Sequence, residues 1–462
     1  MTVGLFAALG DRLGTQVVAS ARGAVPGARI RDGVERLAAW LGGSGHEPGT
    51  LVATCSTVVG TLVAALAADL AGLPVVHVDP LDPAPPAGLR VSDQPGASPA
   101  GYADPELAVY ASPGGRDGAA PGAAPRTQTF LTSGSTGAPI GVVRGPDAVL
   151  ADARRVAEFL DYRPRSPIVV AVPLHHAYGF NYGLVAAILA GSGVYHCGPR
   201  TIPSQLTRAA ERTGGRILIA HPAHYRTVAR EAVRTGGPVL GPFVRAVSAG
   251  APLPPGCARD IARRHGPTLY NCYGSSEAGA ITLGPVDGTE EPGEVGVPLP
   301  GVRVRLGERH GDGGSELLLR TSSLADGYLG PDGLRPLRLD DGWLHTGDLA
   351  ELDGTRIRLR GRTASVINVA GEKVNPEEVE LVLAAHPAVA DVDVRAEPDP
   401  LRGQVPVAHV VLREDATNAD LLAWCRARLA PPKVPRRFEV HADLPRGPTG
   451  KRIRHDAAGD PR

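Results

Sequence analysis

The sequence predicts an α/β protein with a large N-terminal domain of α/β layers and a small β-barrel-like part, followed by a small mobile α+β C-terminal domain. Three observations carry that expectation. Short apolar runs alternate with helical periods from residue 34 to 265, and after about residue 290 the pattern turns to brief β segments and turns. At 462 residues the chain is too long for one compact core. Composition shifts past Arg362, where the only three lysines of the chain lie: Lys373, Lys433 and Lys451. The boundary is therefore drawn at 362, giving domains 1–362 and 363–462.

In chain order, a helical stretch at 34–42 leads to a strand at 51–55, a helix at 58–71 and a strand at Val75–Val78, the βαβ rhythm of a parallel sheet. From Asp79 to Arg126 the chain is rich in Pro, Gly and Ala and reads as loop with short strands such as Glu106–Tyr110. Helices at 147–160, 182–190, 204–213, 223–235 and 255–265 then alternate with strands at 167–172, 216–220 and 243–247. Short strands at 302–306, 316–320 and 356–360 follow.

Composition excludes several functions. Formal net charge is zero and no basic block occurs, so neither nucleic acid nor an anionic membrane surface has electrostatic support as a partner. Five cysteines without CxxC spacing fit a reduced, cytoplasmic chain. The first residues lack the basic and apolar regions of a signal peptide. Two uncharged stretches, Leu51–Ala68 and Ile168–Pro199, read as strand-plus-helix and as a run broken by Pro173, paired histidines and glycines, not as membrane spans.

The chemistry-bearing segments are polar turns following apolar runs. Thr132-Ser133-Gly134-Ser135-Thr136-Gly137 offers hydroxyls and closely approaching backbone N–H groups to phosphate oxygens, without the GxxxxGK[ST] order of a Walker loop. Tyr273-Gly274-Ser275-Ser276-Glu277 sets an aromatic face, hydroxyls and a Mg²⁺-competent carboxylate in one loop. Trp343–Asp348 presents an acid after a glycine turn, suited to accept hydrogen bonds from ribose hydroxyls. Lysine at 451 stands where arginine would otherwise supply charge, which marks a flexible point charge. Taken singly, each segment also reads as an ordinary polar turn.

Together, in this order, they resemble the acyl- and aryl-acid adenylate-forming (AMP-binding) superfamily, which includes acyl-CoA synthetases, nonribosomal peptide synthetase adenylation domains and luciferases. Eight collinear motifs carry the resemblance from residue 30 to 456, among them Pro173-Leu-His-His176-Ala-Tyr-Gly179, Ser248-Ala-Gly250-Ala251-Pro252-Leu253, Gly361-Arg362 and Gly371-Glu-Lys-Val-Asn-Pro376. The resemblance implies that Thr132, Ser133, Gly134, Ser135, Thr136 and Gly137 hold the β- and γ-phosphates of ATP. Gly250, Ala251, Pro252, Tyr273 and Gly274 would form the adenine site. Asp348 would grip the ribose and Arg362 the ribose or phosphate. Ser276 would meet the α-phosphate and Glu277 the Mg²⁺, while Lys451 would be the mobile catalytic residue. His176 would flank the acid pocket and thiol path, and Gly371 the pantetheine tunnel; the alternative for His176 is a satisfied core histidine.

The chain departs from the family pattern at two points. Ile140 replaces a usual lysine, for which Arg144 offers a substitute cation, and Ala364 occupies a hinge position that is commonly charged. No acid occurs in 173–183 to pair an α-ammonium, which disfavours α-amino acids, and Cys272 in place of glycine favours a compact or planar acid. Cys272 has no neighbour in sequence to activate it, and His221 with His224 lacks a third metal ligand. The expected product is an acyl or aryl thioester of CoA or a carrier protein, and the chain resembles stand-alone aryl-acid AMP ligases of natural-product biosynthesis. Transfer to an amine and an inactive nucleotide-binding scaffold are the other two readings.

Overall fold

The computed structural model describes residues 4–13, 17–20, 23–43, 50–80, 89–93, 102–104, 107, 109–112, 124–133, 139–198, 200–235, 240–253, 255–264, 266–291, 293–309, 314–330, 333–363, 367–370 and 372–444. The chain divides into two compact units, one of 1–289, 299–301 and 321–337, the other of 290–298, 302–320 and 338–462. Each unit holds two sheets. The fold is the α/β architecture expected, with the short β segments predicted at 302–306, 316–320 and 356–360 gathered into a six-stranded sheet.

In the first unit, an eight-stranded sheet has a parallel centre formed by Val17–Ser20, Val194–His196, Ile168–Val170, Ile217–Ala220, Arg245–Ser248 and Thr268–Ser275, and ends in the antiparallel strand Gly279–Val286. Its helices bury one face on it: Leu206, Tyr225, Val228 and Ile261 pack with Val169, Leu218, Ala246 and Leu269. A nine-stranded sheet includes Leu51–Thr54, Val75–His77, Gln128–Ser133 and Pro139–Arg144. The helix Val58–Ala71 touches strands of both sheets and is buried from Val58 through Asp69, with apolar residues on nearly every side as such burial requires. Thr57 caps its start by accepting from Gly60 N at 3.1 Å, and Gly72 ends it in the left-handed conformation at φ 75°. This burial accounts for the uncharged Leu51–Ala68 run. No helix among the described residues is long and apolar enough to cross a membrane.

Two sequence expectations are corrected. The helix placed at 182–190 begins earlier, as a π-helical turn Gly179–Val185 continuing into Ala186–Leu189. Glycine is required there: a Cβ on Gly179 would strike the Pro173 carbonyl, and one on Gly183 would lie 2.8 Å from Val170. Secondly, Tyr273-Gly-Ser is not a loop but the end of the strand Thr268–Ser275, which turns through Ser276–Ala278 into Gly279–Val286.

In the second unit, the six-stranded sheet includes Ser315–Arg320, Trp343–Asp353 and Arg356–Arg362, and a five-stranded sheet includes Val389–Asp399, Gly403–Leu412 and Arg437–Val440. The apolar faces of the latter pack under helices Pro376–Ala384 and Asn418–Arg426 through Val379, Leu383, Leu421 and Cys425. The sequence boundary at 362 falls inside this unit. Asn375 caps the helix Pro376–Ala384, accepting from Glu377 N at 3.1 Å, and donates to the Arg360 carbonyl.

Candidate functional site

Parallel topology puts several motifs on one edge of the first unit. The segments after Ile168–Val170, Arg245–Ser248 and Thr268–Ser275 all leave the carboxyl ends of adjacent or near-adjacent strands, the edge where open α/β sheets bind ligands. His176, Gly250, Ala251, Pro252, Ser276 and Glu277 lie on these segments, and Tyr273 and Gly274 on the last residues of the strand Thr268–Ser275. Gly250 takes φ 90°, a left-handed turn in which a side chain would be strained. His176 opens the helical segment, its carbonyl accepting from Phe180 N at 3.0 Å and its ring 4.3 Å from that of His175. Tyr178 anchors the same segment to the sheet by donating to the carbonyls of Ala220 and Val247, at 3.2 and 3.0 Å.

The Glu277 turn is held by a buried polar network that the sequence did not reveal. Asp152, fully buried on the helix Pro146–Phe159, accepts from Ala280 N at 2.9 Å, from Asn181 Nδ2 at 2.7 Å and from Arg144 Nη1 at 3.2 Å. Gly279, at φ 75°, is the residue that lets the Asp152 carboxylate come so close. Ser323 Oγ donates to Ala278 O at 2.7 Å, Ser275 Oγ accepts from Ala278 N at 3.2 Å, and Arg155 Nη2 reaches Thr321 Oγ1 at 2.9 Å. Ala325 N donates to the Glu277 carbonyl at 2.7 Å, while Tyr328 OH donates to Glu277 Oε1 at 3.1 Å. The carboxylate is thus oriented by a hydroxyl and remains partly exposed.

Arg144 is corrected by this geometry. Its guanidinium has no solvent exposure, pairs with Asp152 and also donates to the carbonyls of Ala148 and Ser323, so it cannot serve as a substitute phosphate cation. Thr132 Oγ1 donates to Ile140 O at 3.2 Å across paired strands; Ser133 ends its strand, and Gly134, Ser135, Thr136 and Gly137 lie outside the described residues. Cys272 is buried, and desolvation first, with the Asp152 charge second, pushes its thiol up to about 12, so no thiolate is available near neutral pH.

In the second unit Asp348 sits in register with Arg362, whose Nε donates to Asp348 Oδ1 at 2.7 Å. Gly347, at φ 71°, makes the turn before it. Buried Glu316 pins this turn with both oxygens, taking His345 Nδ1 at 2.9 Å and Gly347 N at 3.1 Å; Thr346 Oγ1 then accepts from Asp348 N at 3.0 Å. Ala364, Gly371 and Lys451 lie outside the described residues.

The AMP-binding enzyme model matches residues 121–329, and the AMP-binding enzyme C-terminal domain model matches residues 378–451. The chain is 30% identical over 346 residues to 2-succinylbenzoate--CoA ligase of Bacillus velezensis, covering 71% of this chain and 68% of that protein. The chain belongs to the AMP-binding enzymes. It is also 32% identical over 333 residues to sulfoacetate--CoA ligase of Cupriavidus necator, covering 70% of this chain and 64% of the relative. The matches span between 61% and 64% of the length of the first three curated relatives. ATP-bound MatB from Rhodopseudomonas palustris shares the fold, with TM-score 0.79 at 22% identity over 98% of this chain and 97% of that one.

Asp152, Arg155, Ser323, Tyr328 and Glu316 are the AMP-binding chain's positioning residues that sequence reasoning missed. Apart from Arg144, eight residues before Asp152, the partners named above lie 29 to 168 residues away, so no local spacing marks them. Two charged residues three apart, Asp152 and Arg155, on the mostly apolar buried face of the helix Pro146–Phe159 were the signal available for them.

Proposed function

We propose that this chain is an AMP-forming acid–thiol ligase. The observation that carries this reading is the Glu277 turn, a partly exposed carboxylate set at the carboxyl edge of the parallel sheet and fixed by a desolvated hydrogen-bond network. Such preorganisation suits a site that gathers negative charge. A carboxylate oxygen of the acid attacks the α-phosphorus of ATP, the bond from that phosphorus to the bridging oxygen breaks, and pyrophosphate leaves. A thiol sulfur then attacks the acyl carbon, AMP departs and the thiol proton is released.

In this reading Ser276 meets the α-phosphate, Thr132 to Gly137 the leaving phosphates, and Gly250 to Pro252 with Tyr273 and Gly274 the adenine. Asp348 holds the ribose and Arg362 the ribose or phosphate, and His176 borders the acid and the incoming thiol. A single carboxylate with one oxygen held by Tyr328 fits Mg²⁺, which keeps few protein ligands beside phosphates. When bound, the ion would neutralise polyphosphate charge; Glu277 is the residue that would hold it. Lys451 would bring its ammonium to the reacting oxygens by rotation of the small domain 363–462 about the chain near Arg362. The acid is compact or planar, and the acceptor is a phosphopantetheine thiol on CoA or a carrier protein in natural-product assembly.

Pyrophosphate release, measured across aryl, short-chain and amino acids with and without CoA, tests the reading. Acid-dependent release that falls on the order of 10²- to 10³-fold in Lys451→Ala is expected. Release that is independent of acid, or unchanged in that variant, overturns it.

A further inference from the structure

We propose that His409, Glu439 and His441 form a binding site for a divalent transition-metal ion, with zinc the best match. The strand Arg437–Val440 lies parallel to Gly403–Leu412 with His409 opposite Glu439, and His441, two residues on, returns to the same face. His409 Nδ1 lies 3.0 Å from His441 Nε2 and 3.3 Å from Glu439 Oε2, and His441 Nε2 lies 3.9 Å from that oxygen. Ligand atoms of a tetrahedral zinc bonded at about 2.0–2.1 Å stand ~3.3 Å apart. The observed triangle brackets that spacing with no change of backbone.

Three features favour an ion over a bare hydrogen-bonded cluster. Three lone-pair-bearing atoms converge here, and a single shared proton bridges only one pair of them, whereas a cation satisfies all three. Arg437 Nε donates to the other Glu439 oxygen at 2.9 Å, an outer-shell bond that fixes Oε2 toward the histidines. Finally, the His409 side chain is 9% exposed while those of Glu439 and His441 are 36% and 39% exposed, so one ligand is built into the fold and the other two leave an entry path. The nearby Arg395 guanidinium is paired to Asp393 Oδ2 at 2.6 Å, which offsets its repulsion of a cation. Two imidazoles and a carboxylate select zinc, cobalt or nickel over the oxygen-preferring Mg²⁺ expected at Glu277. Among the described residues this is the only grouping of such ligands.

The test uses the full chain stripped with a chelator, titrated with Zn²⁺ against a chromophoric competitor and with Co²⁺ by visible absorption. One equivalent should bind, and Co²⁺ should give the strong visible bands of tetrahedral coordination. His441→Ala and Glu439→Gln, both at exposed positions, should each weaken Zn²⁺ binding by at least the ~10- to 100-fold that loss of an outer-shell partner costs. His386→Ala, in the same unit, should bind as the parent does. Absence of a stoichiometric site in the parent chain, or parent-like affinity in His441→Ala, overturns the proposal.

Discussion

Asp152 and Glu316 do the same task in two different surroundings. Each is a buried carboxylate that holds a glycine-containing turn by its backbone N–H, Asp152 the turn after Glu277 and Glu316 the turn before Asp348. Asp152 faces a guanidinium with which it shares complete burial, at 0% exposure for both side chains. Glu316 faces His345, 17% exposed, near the surface of its sheet. The first turn therefore depends on a charge pair that water cannot replace, and the second on bonds that water can partly take over.

The largest effect should follow from breaking the Asp152 pair. Asp152→Ala leaves Arg144 charged and buried without its counterion and strips Ala280 N and Asn181 of an acceptor, so urea unfolding should show a loss of about 3–5 kcal/mol. A loss below about 1 kcal/mol would mean that water reaches the site and that the two regions do not differ as described.

Acid should probe the same interior. His77, stacked on Phe130 at 5.0 Å and bonded to Gln128 at 2.8 Å, and His196, donating to Val172 O at 3.0 Å, are both lowered to about 4, first by burial. Their unfolded values lie near the ordinary ~6.5. Above that value both states are neutral and the contribution is fully present. As pH falls from ~6.5 to about 4 the unfolded chain takes up protons that the native one refuses, and about 3 kcal/mol per histidine is lost. Urea midpoints from neutral to acid pH should fall steeply across that window; a flat profile would show an interior open to protons.

The difference between the two turns also marks what was legible in sequence. The helix 58–71 was read to its last residue because its cap, apolar run and Gly72 are contiguous. The strand leading to Arg362 was visible as the β segment 356–360, whereas Trp343–Asp348, read as a polar turn, is part of the strand Trp343–Asp353 that pairs with it through a short hairpin. Within Tyr273–Glu277 the part Tyr273–Ser275 was mistaken for loop because Gly274 and Ser275 carry weak strand signals that outweighed Tyr273, and the antiparallel partner Gly279–Val286 supplied the ladder instead. Arg144 was misjudged for a related reason: its counterion lies eight residues away on a helix, and only packing shows that both are dry.

An intermediate effect is expected on the other side of the comparison. Glu316→Gln keeps the shape but removes a charge accepted from His345 and Gly347, and hydrogen bonds to charged groups are worth about 1.5–3 kcal/mol. Its unfolding free energy should therefore drop by less than that of Asp152→Ala. Equal losses would erase the distinction between the two turns.

The smallest effect on stability should come from Arg362, and it separates holding the fold from serving the site. Its side chain is 60% exposed and its partner Asp348 12% exposed. The pair is bonded at 2.7 Å, yet one member stays hydrated, so Arg362→Ala should change unfolding free energy by no more than about 1 kcal/mol. If Arg362 engages nucleotide in the proposed ligase, pyrophosphate release should fall on the order of 10²-fold in the same variant. A matching small loss in both measurements would make Arg362 a surface partner of Asp348 only. A large activity loss on an almost unchanged unfolding curve would mean that this strand spends its exposed charge on ligand, whereas Arg144, equally charged, is spent on holding a turn.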